Sequence, residues 1–89
     1  MAESAAALLT FPCRFPIKVM GAHAEGFVAA IAHVARAFDP GFEEASIEVR
    51  PSRNGRYLGL TLTVQVHSRE QLDELYRTLT THPMVSVVL

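Results

Sequence analysis

The groups with chemistry to offer in this 89-residue chain are four histidines, one cysteine and a few clustered arginines. His23, His33, His67 and His82 are scattered, and no pair has metal-ligand spacing near Cys13 or a carboxylate. A zinc or non-haem iron centre needs convergent ligands, so neither a metal nor another cofactor is expected. No serine, histidine and acid carry a cue for nucleophilic catalysis, and Cys13 reads as a structural thiol. The expectation is a protein that is not an enzyme. Two clusters remain. The segment Gly21-Ala22-His23-Ala24-Glu25-Gly26 leads into a helix, where free N–H groups can hold a carboxylate or phosphate and glycine allows close approach. Arg50, Arg53 and Arg56 lie within seven residues with no acid among them, a pattern that can dock an acidic partner or a phosphate. Gly21, His23, Gly26, Arg53 and Arg56 are the candidate ligand-binding residues.

The elements that position these groups follow from periodicity. Arg14 to Met20 places Phe15, Ile17 and Val19 on alternate positions, the mark of a strand with one buried face, and Gly21 is expected to end it. From His23 to Phe38 the period changes, with Phe27, Ala30, Ile31, Val34, Ala35 and Phe38 forming one helical stripe. Asp39-Pro40-Gly41 stops it. A second strand is expected over Ala45 to about Arg53, with Ile47 and Val49 inward. Asn54-Gly55 then signals a tight hairpin with both turn positions at positive φ. Arg56 to Val66 alternates with Leu58, Leu60, Leu62, Val64 and Val66 on one side. Ser68 and Gln71 spell a capping box for a helix carrying Leu72, Leu75, Tyr76 and Leu79. Met84 to Leu89 closes the chain as a strand, with Val85, Val87 and Leu89 expected inward.

The order is βαββαβ, and right-handed crossovers put both helices on one face of a four-stranded antiparallel sheet. This is a ferredoxin-like α+β sandwich with expected strand order 4-1-3-2. Pro51 belongs on its edge, because proline cannot donate to a central ladder. Residues 1–13 read as a tail and 14–89 as a single domain.

Composition narrows the function. Hydrophobic residues make up 49%, of which 12 residues are alanine, while charged residues are 19% and net charge is -1. That balance excludes a disordered chain and argues against general DNA or RNA binding. One cysteine allows no internal disulfide, which fits a reducing cytoplasm. The first residues lack the basic start and the long apolar run of a signal peptide, and no window reaches the length of a membrane helix.

The sheet face away from the helices is expected to carry Lys18, Met20, Glu48, Arg50, Tyr57, Thr61, Thr63, Gln65, Ser86 and Val88. An RNA-binding module of this topology stacks bases on two or three sheet aromatics, and Tyr57 alone is available here. Cover by a partner, or by the tail residues Leu8, Leu9 and Phe11, suits this mixed face better. A homodimer through a sheet edge is a further expectation, because strands two and four leave unpaired edges.

The phrases Phe15-Pro16-Ile17-Lys18-Val19-Met20-Gly21, Pro51-Ser52-Arg53-Asn54-Gly55-Arg56-Tyr57 and Met84-Val85-Ser86-Val87-Val88-Leu89, with Phe11-Pro12 before them, resemble the YbeD-like family of small bacterial proteins. The resemblance runs in order along nearly the whole chain. It implies the same βαββαβ fold and a likeness to ACT regulatory domains, which bind amino acids and pair through their sheets. The neighbourhood of lipoate-attachment genes among relatives implies a role linked to lipoate metabolism. The acidic residue and proline usual before the ACT glycine are missing at Gly21, which counts against an amino-acid site. An acylphosphatase-like enzyme shares the topology, yet the turn after strand one has no Arg and strand three no Asn. The expectation is a cytoplasmic regulatory or adaptor domain, acting through protein contacts or a small anionic ligand.

Overall fold

A computed structural model of the chain describes residues 10–89. The elements are β1 (Cys13–Ala22), α1 (Phe27–Phe38), a 3₁₀ turn (Glu44–Ser46), β2 (Glu48–Pro51), β3 (Tyr57–Val66), α2 (Arg69–Thr80) and β4 (Val85–Val88). The sheet runs β2-β3-β1-β4 with antiparallel neighbours throughout, which is the expected 4-1-3-2 order. Pro51 sits on the edge strand as its missing N–H requires. Pro16 also avoids a ladder bond. Lys18 exchanges both backbone bonds with Leu89, so Pro16, two residues back, points the same way beyond the end of β4.

The helices close one face. Ile17 and Val19 from β1 and the five even-numbered residues from Leu58 to Val66 are buried there, beneath Phe27, Ile31, Val34 and Ala35 of α1 and Leu72, Leu75 and Leu79 of α2. No polar side chain is buried among the described residues. Phe15 meets Tyr76 edge to face at 6.3 Å between ring centres, extending the core towards the start of β1. Phe11 packs against this core too, not across the open face where it was expected, while Leu8 and Leu9 lie outside the described residues.

Five local expectations are corrected. β1 runs through Gly21 to Ala22, because Ala22 still pairs with Tyr57. α1 therefore starts at Phe27 instead of His23, behind Gly26 at φ 86, a left-handed conformation no residue inside a helix can hold. β2 is only Glu48–Pro51: residues 44–46 coil into the 3₁₀ turn, which buries Ile47, and Val49, though paired with Leu60, lies on an edge the helices do not cover. The β2–β3 turn is not the two-residue type. Gly55 N–H donates to Ser52 O at 3.0 Å, Gly55 alone has positive φ, and Asn54 Oδ1 accepts the Arg56 N–H.

The fifth correction concerns β4. Met20 pairs with Val87 but Gly21 pairs with Val85, so Ser86 is the extra residue of a β-bulge. A bulge shifts the alternation by one and swaps faces beyond it. Val85 and Val88 face the core, while Val87 and Leu89 lie on the open face. Val87 is therefore the neighbour of Met20, not Val88.

Candidate functional site

Gly21 sits at the bulge on the covered side. A Cβ there would run into the carbonyl oxygen of Met84 and come within 2.7 Å of the Phe27 ring. The glycine is needed for packing of β4 and α1 against β1, which removes Gly21 from any surface site. Of the other four candidates, all exposed, two are joined directly, His23 and Arg56. His23 N–H donates to Arg56 O at 2.8 Å, and His23 Nδ1 lies 2.9 Å from Gly55 O. A carbonyl only accepts, so the ring proton sits on Nδ1. The β1–α1 turn and the Arg53–Arg56 hairpin are thereby stitched into one exposed corner beside Gly26, where α1 begins without a side-chain cap. α2, by contrast, is capped: Ser68 Oγ accepts from Gln71 N–H at 3.1 Å. Gln71 Oε1 reaches back to His67 N–H, one residue before the expected partner.

The second surface is the open sheet face. Cross-strand register sets Glu48, Thr61, Lys18 and Leu89 in one row, and Arg50, Gly59, Met20 and Val87 in the next. Met20 (42%), Tyr57 (46%), Val87 (45%) and Leu89 (69%) are the large apolar side chains left exposed there; Val49 on the β2 edge is the fifth. Between them runs a groove of about 470 Å³ lined by Lys18, Met20, Glu48, Arg50, Tyr57, Gly59, Thr61 and Leu89 among others.

Charge is divided between the two sides of the molecule. The strands hold Arg14, Lys18 and Arg50 against one acid, Glu48, and the hairpin adds Arg53 and Arg56. The acids gather in α2 (Glu70, Asp73, Glu74) and around the end of α1 (Asp39, Glu43, Glu44). Both ion pairs among the described residues, Arg69–Asp73 and Arg77–Glu74, lie within α2, so Lys18, Arg50 and Glu48 are in none. Asp39 is spent on the fold: its carboxylate takes the Gln65 N–H at 3.1 Å where β2 no longer flanks β3, and the Gly41 N–H as well. Among the described residues no three His, Cys, Asp or Glu side chains gather as metal ligands, and no helix is long and apolar enough to cross a membrane.

Sequence reasoning pointed to the corner and to the open face, and missed the groove within that face. Gly59, which forms its floor, breaks an otherwise β-branched and leucine-rich strand, and that interruption was the available signal.

These features define a class: a βαββαβ domain with one face closed by helices and the other, among the described residues, open, partly apolar and flanked by cations. Residues 6–89 match the profile of a family described as "Protein of unknown function (DUF493)", and the chain belongs to that family. It is 58% identical over 82 residues to a UPF0250 protein of Leptothrix cholodnii, spanning 92% of this chain and 90% of that one. A UPF0250 protein of Bordetella pertussis is 57% identical over the same shares of the two chains. One from Nitrosomonas europaea is 48% identical, spanning 92% of this chain and 94% of that one. The family is the one anticipated from the Lys-Val-Met-Gly, Pro-Ser and closing-strand phrases.

Proposed function

We propose that this protein is a non-enzymatic regulatory or adaptor domain of the cytoplasm that docks a partner protein on its open sheet face. The observation that carries this reading is the concentration of Met20, Tyr57 and Leu89, all exposed, around one groove, with exposed Val87 paired beside Met20. Contiguous exposed apolar surface of this kind marks interaction sites on soluble domains. β4 supports it, since the bulge turns two apolar side chains outward where a solvated face would carry polar ones. The lipoate link implied by the resemblance forms no part of this reading, as no groove residue selects lipoate over another carboxylate.

A photocrosslinking residue at position 57 tests it in bacterial cells, with the same residue at position 70 on α2 as the control. A discrete adduct from position 57, lost when Met20→Glu is added, is the expected result. No adduct, or equal adducts from both positions, sinks the reading. A small anionic ligand at the corner is the second reading, supported by the hydrogen bonds that hold His23 against Gly55 and Arg56. Saturable phosphate-induced shifts at the His23 and Arg56 amides would distinguish it.

A further inference from the structure

The five glycines divide by what holds them in place. Gly21 is required by close packing, and Gly26 and Gly55 adopt positive φ. Gly41 lies in the loop after α1. Gly59 has no such reason. It sits in the middle of the ten-residue strand β3, its φ lies outside the left-handed range, and a Cβ there would meet nothing closer than the Arg50 carbonyl oxygen at 3.6 Å. A glycine inside a strand weakens it and characteristically marks a place where a ligand or another chain comes close.

Its row explains what would come close. Arg50 stands on one side of Gly59 and Met20 on the other, a gap of about 10 Å across two strand spacings with no side chain between them. Tyr57 and Thr61 bound the gap along β3, and Lys18 stands beside Met20 on β1. The hollow is therefore apolar at its base and flanked by two cations that make no ion pair among the described residues, against the single acid Glu48.

We infer that the Gly59 hollow receives one large apolar side chain of an acidic segment of a partner protein, whose carboxylates pair with Lys18 and Arg50. This rests on the docking reading above and names its partner's chemistry. Openness favours a protein over a small molecule, because small-ligand sites enclose roughly 70–90% of their ligand and a hollow on a bare sheet does not. A partner segment covers the hollow with its own backbone and seats an anchor in it, as the central residues of protein interfaces do. Charge favours an acidic segment, since the flanking cations outnumber the acid two to one in the groove.

The test is an amide-resolved NMR titration of the full chain with three capped hexapeptides. One has a Phe-Leu centre with two acidic residues on each side, the second replaces the acids by lysines, and the third replaces Phe-Leu by Ala-Ala. The first should give saturating shifts at Lys18, Arg50, Tyr57 and Gly59, with affinity at least about tenfold above the other two. Gly59→Val should lower that affinity by about tenfold or more while its thermal midpoint does not fall. Absence of saturable shifts at Gly59, equal binding of the lysine peptide, or unchanged binding by Gly59→Val would each overturn the inference. Concentration-dependent shifts of the same amides in the free protein would assign the hollow to a second copy instead. Markedly tighter peptide binding by a chain lacking residues 1–9 would assign it to that segment, and would equally overturn it. If the crosslink at position 57 persists while the acidic peptide fails, the adaptor reading stands and the acidic occupant falls.

Discussion

The two faces of the sheet come from the same strands, alternate residues of β1 and β3 going to each, and they handle glycine in opposite ways. On the covered side Gly21 makes room for structure already present: the Met84 carbonyl and the Phe27 ring occupy the space its side chain would take. On the open side Gly59 makes room that no described residue fills. Burial alone separates a face that folds the protein from a face that does not, because hydrophobic stabilisation scales with apolar area removed from water. The glycines add a finer criterion. A missing side chain matched by a neighbour is architecture, and one matched by nothing is a vacancy kept against the stability of the strand.

The largest effect should come from Gly21→Ala, which forces β4 and α1 away from β1. A loss of about 3 kcal/mol is expected, at the upper end for overpacking, read from urea unfolding. If Gly21→Ala costs nothing, the distinction between the two glycines collapses. Ser68→Ala removes the cap of α2 and should cost about 1 kcal/mol by the same measurement. Gly59→Ala should move stability the other way, a gain of about 0.5 kcal/mol from reduced freedom of the unfolded chain. A clear loss there would show that Gly59 serves the fold and would break the comparison. Val87→Thr on the open face should shift unfolding by less than about 0.5 kcal/mol, whereas Val64→Thr on the covered face should be severe.

A pH experiment sharpens the boundary of the closed side. Tyr76, packed by Phe15, has its hydroxyl raised above the ordinary 10.0 by desolvation. The unfolded chain then ionises before the folded one. The stability tied to the neutral phenol is complete below pH 10 and is lost as pH climbs through the raised folded value. Phenolate absorbance of Tyr57→Phe, in which Tyr76 alone titrates, should show a midpoint above that of the urea-unfolded chain.

The strand order, the helix stripes and the edge position of Pro51 were legible because each is written in local periodicity or in the chemistry of one residue. The errors share a different cause. Nothing within Met84 to Leu89 announces that Ser86 is an extra residue, since a bulge is defined by the partner strand. Counting alternation through it put Val87 and Leu89 on the wrong face. The start of α1 was misplaced because the helical period was counted from His23 through Gly26, whose left-handed backbone marks the position before the first turn. The corner was half legible: both clusters were visible, but the His23 bonds that join them span residues 23 and 55–56. The hollow was less legible still: Gly59 interrupts β3, but the hollow exists only when Arg50, Gly59 and Met20 fall into one row.

The uneven placement of charge also bears on how fast the proposed partner would be met. A net charge of -1 suggests a chain that attracts nothing from a distance. With five of the eight basic residues on the strands and hairpin and most acids on the helical side, the molecule has an electric dipole despite that total. An approaching acidic surface is turned towards the sheet before contact, and acidic bodies arriving from the helical side are repelled. Such steering acts within a screening length of about 8 Å at physiological ionic strength. It raises the encounter rate and leaves the lifetime of the complex to the groove. Added salt should therefore slow association while dissociation changes little.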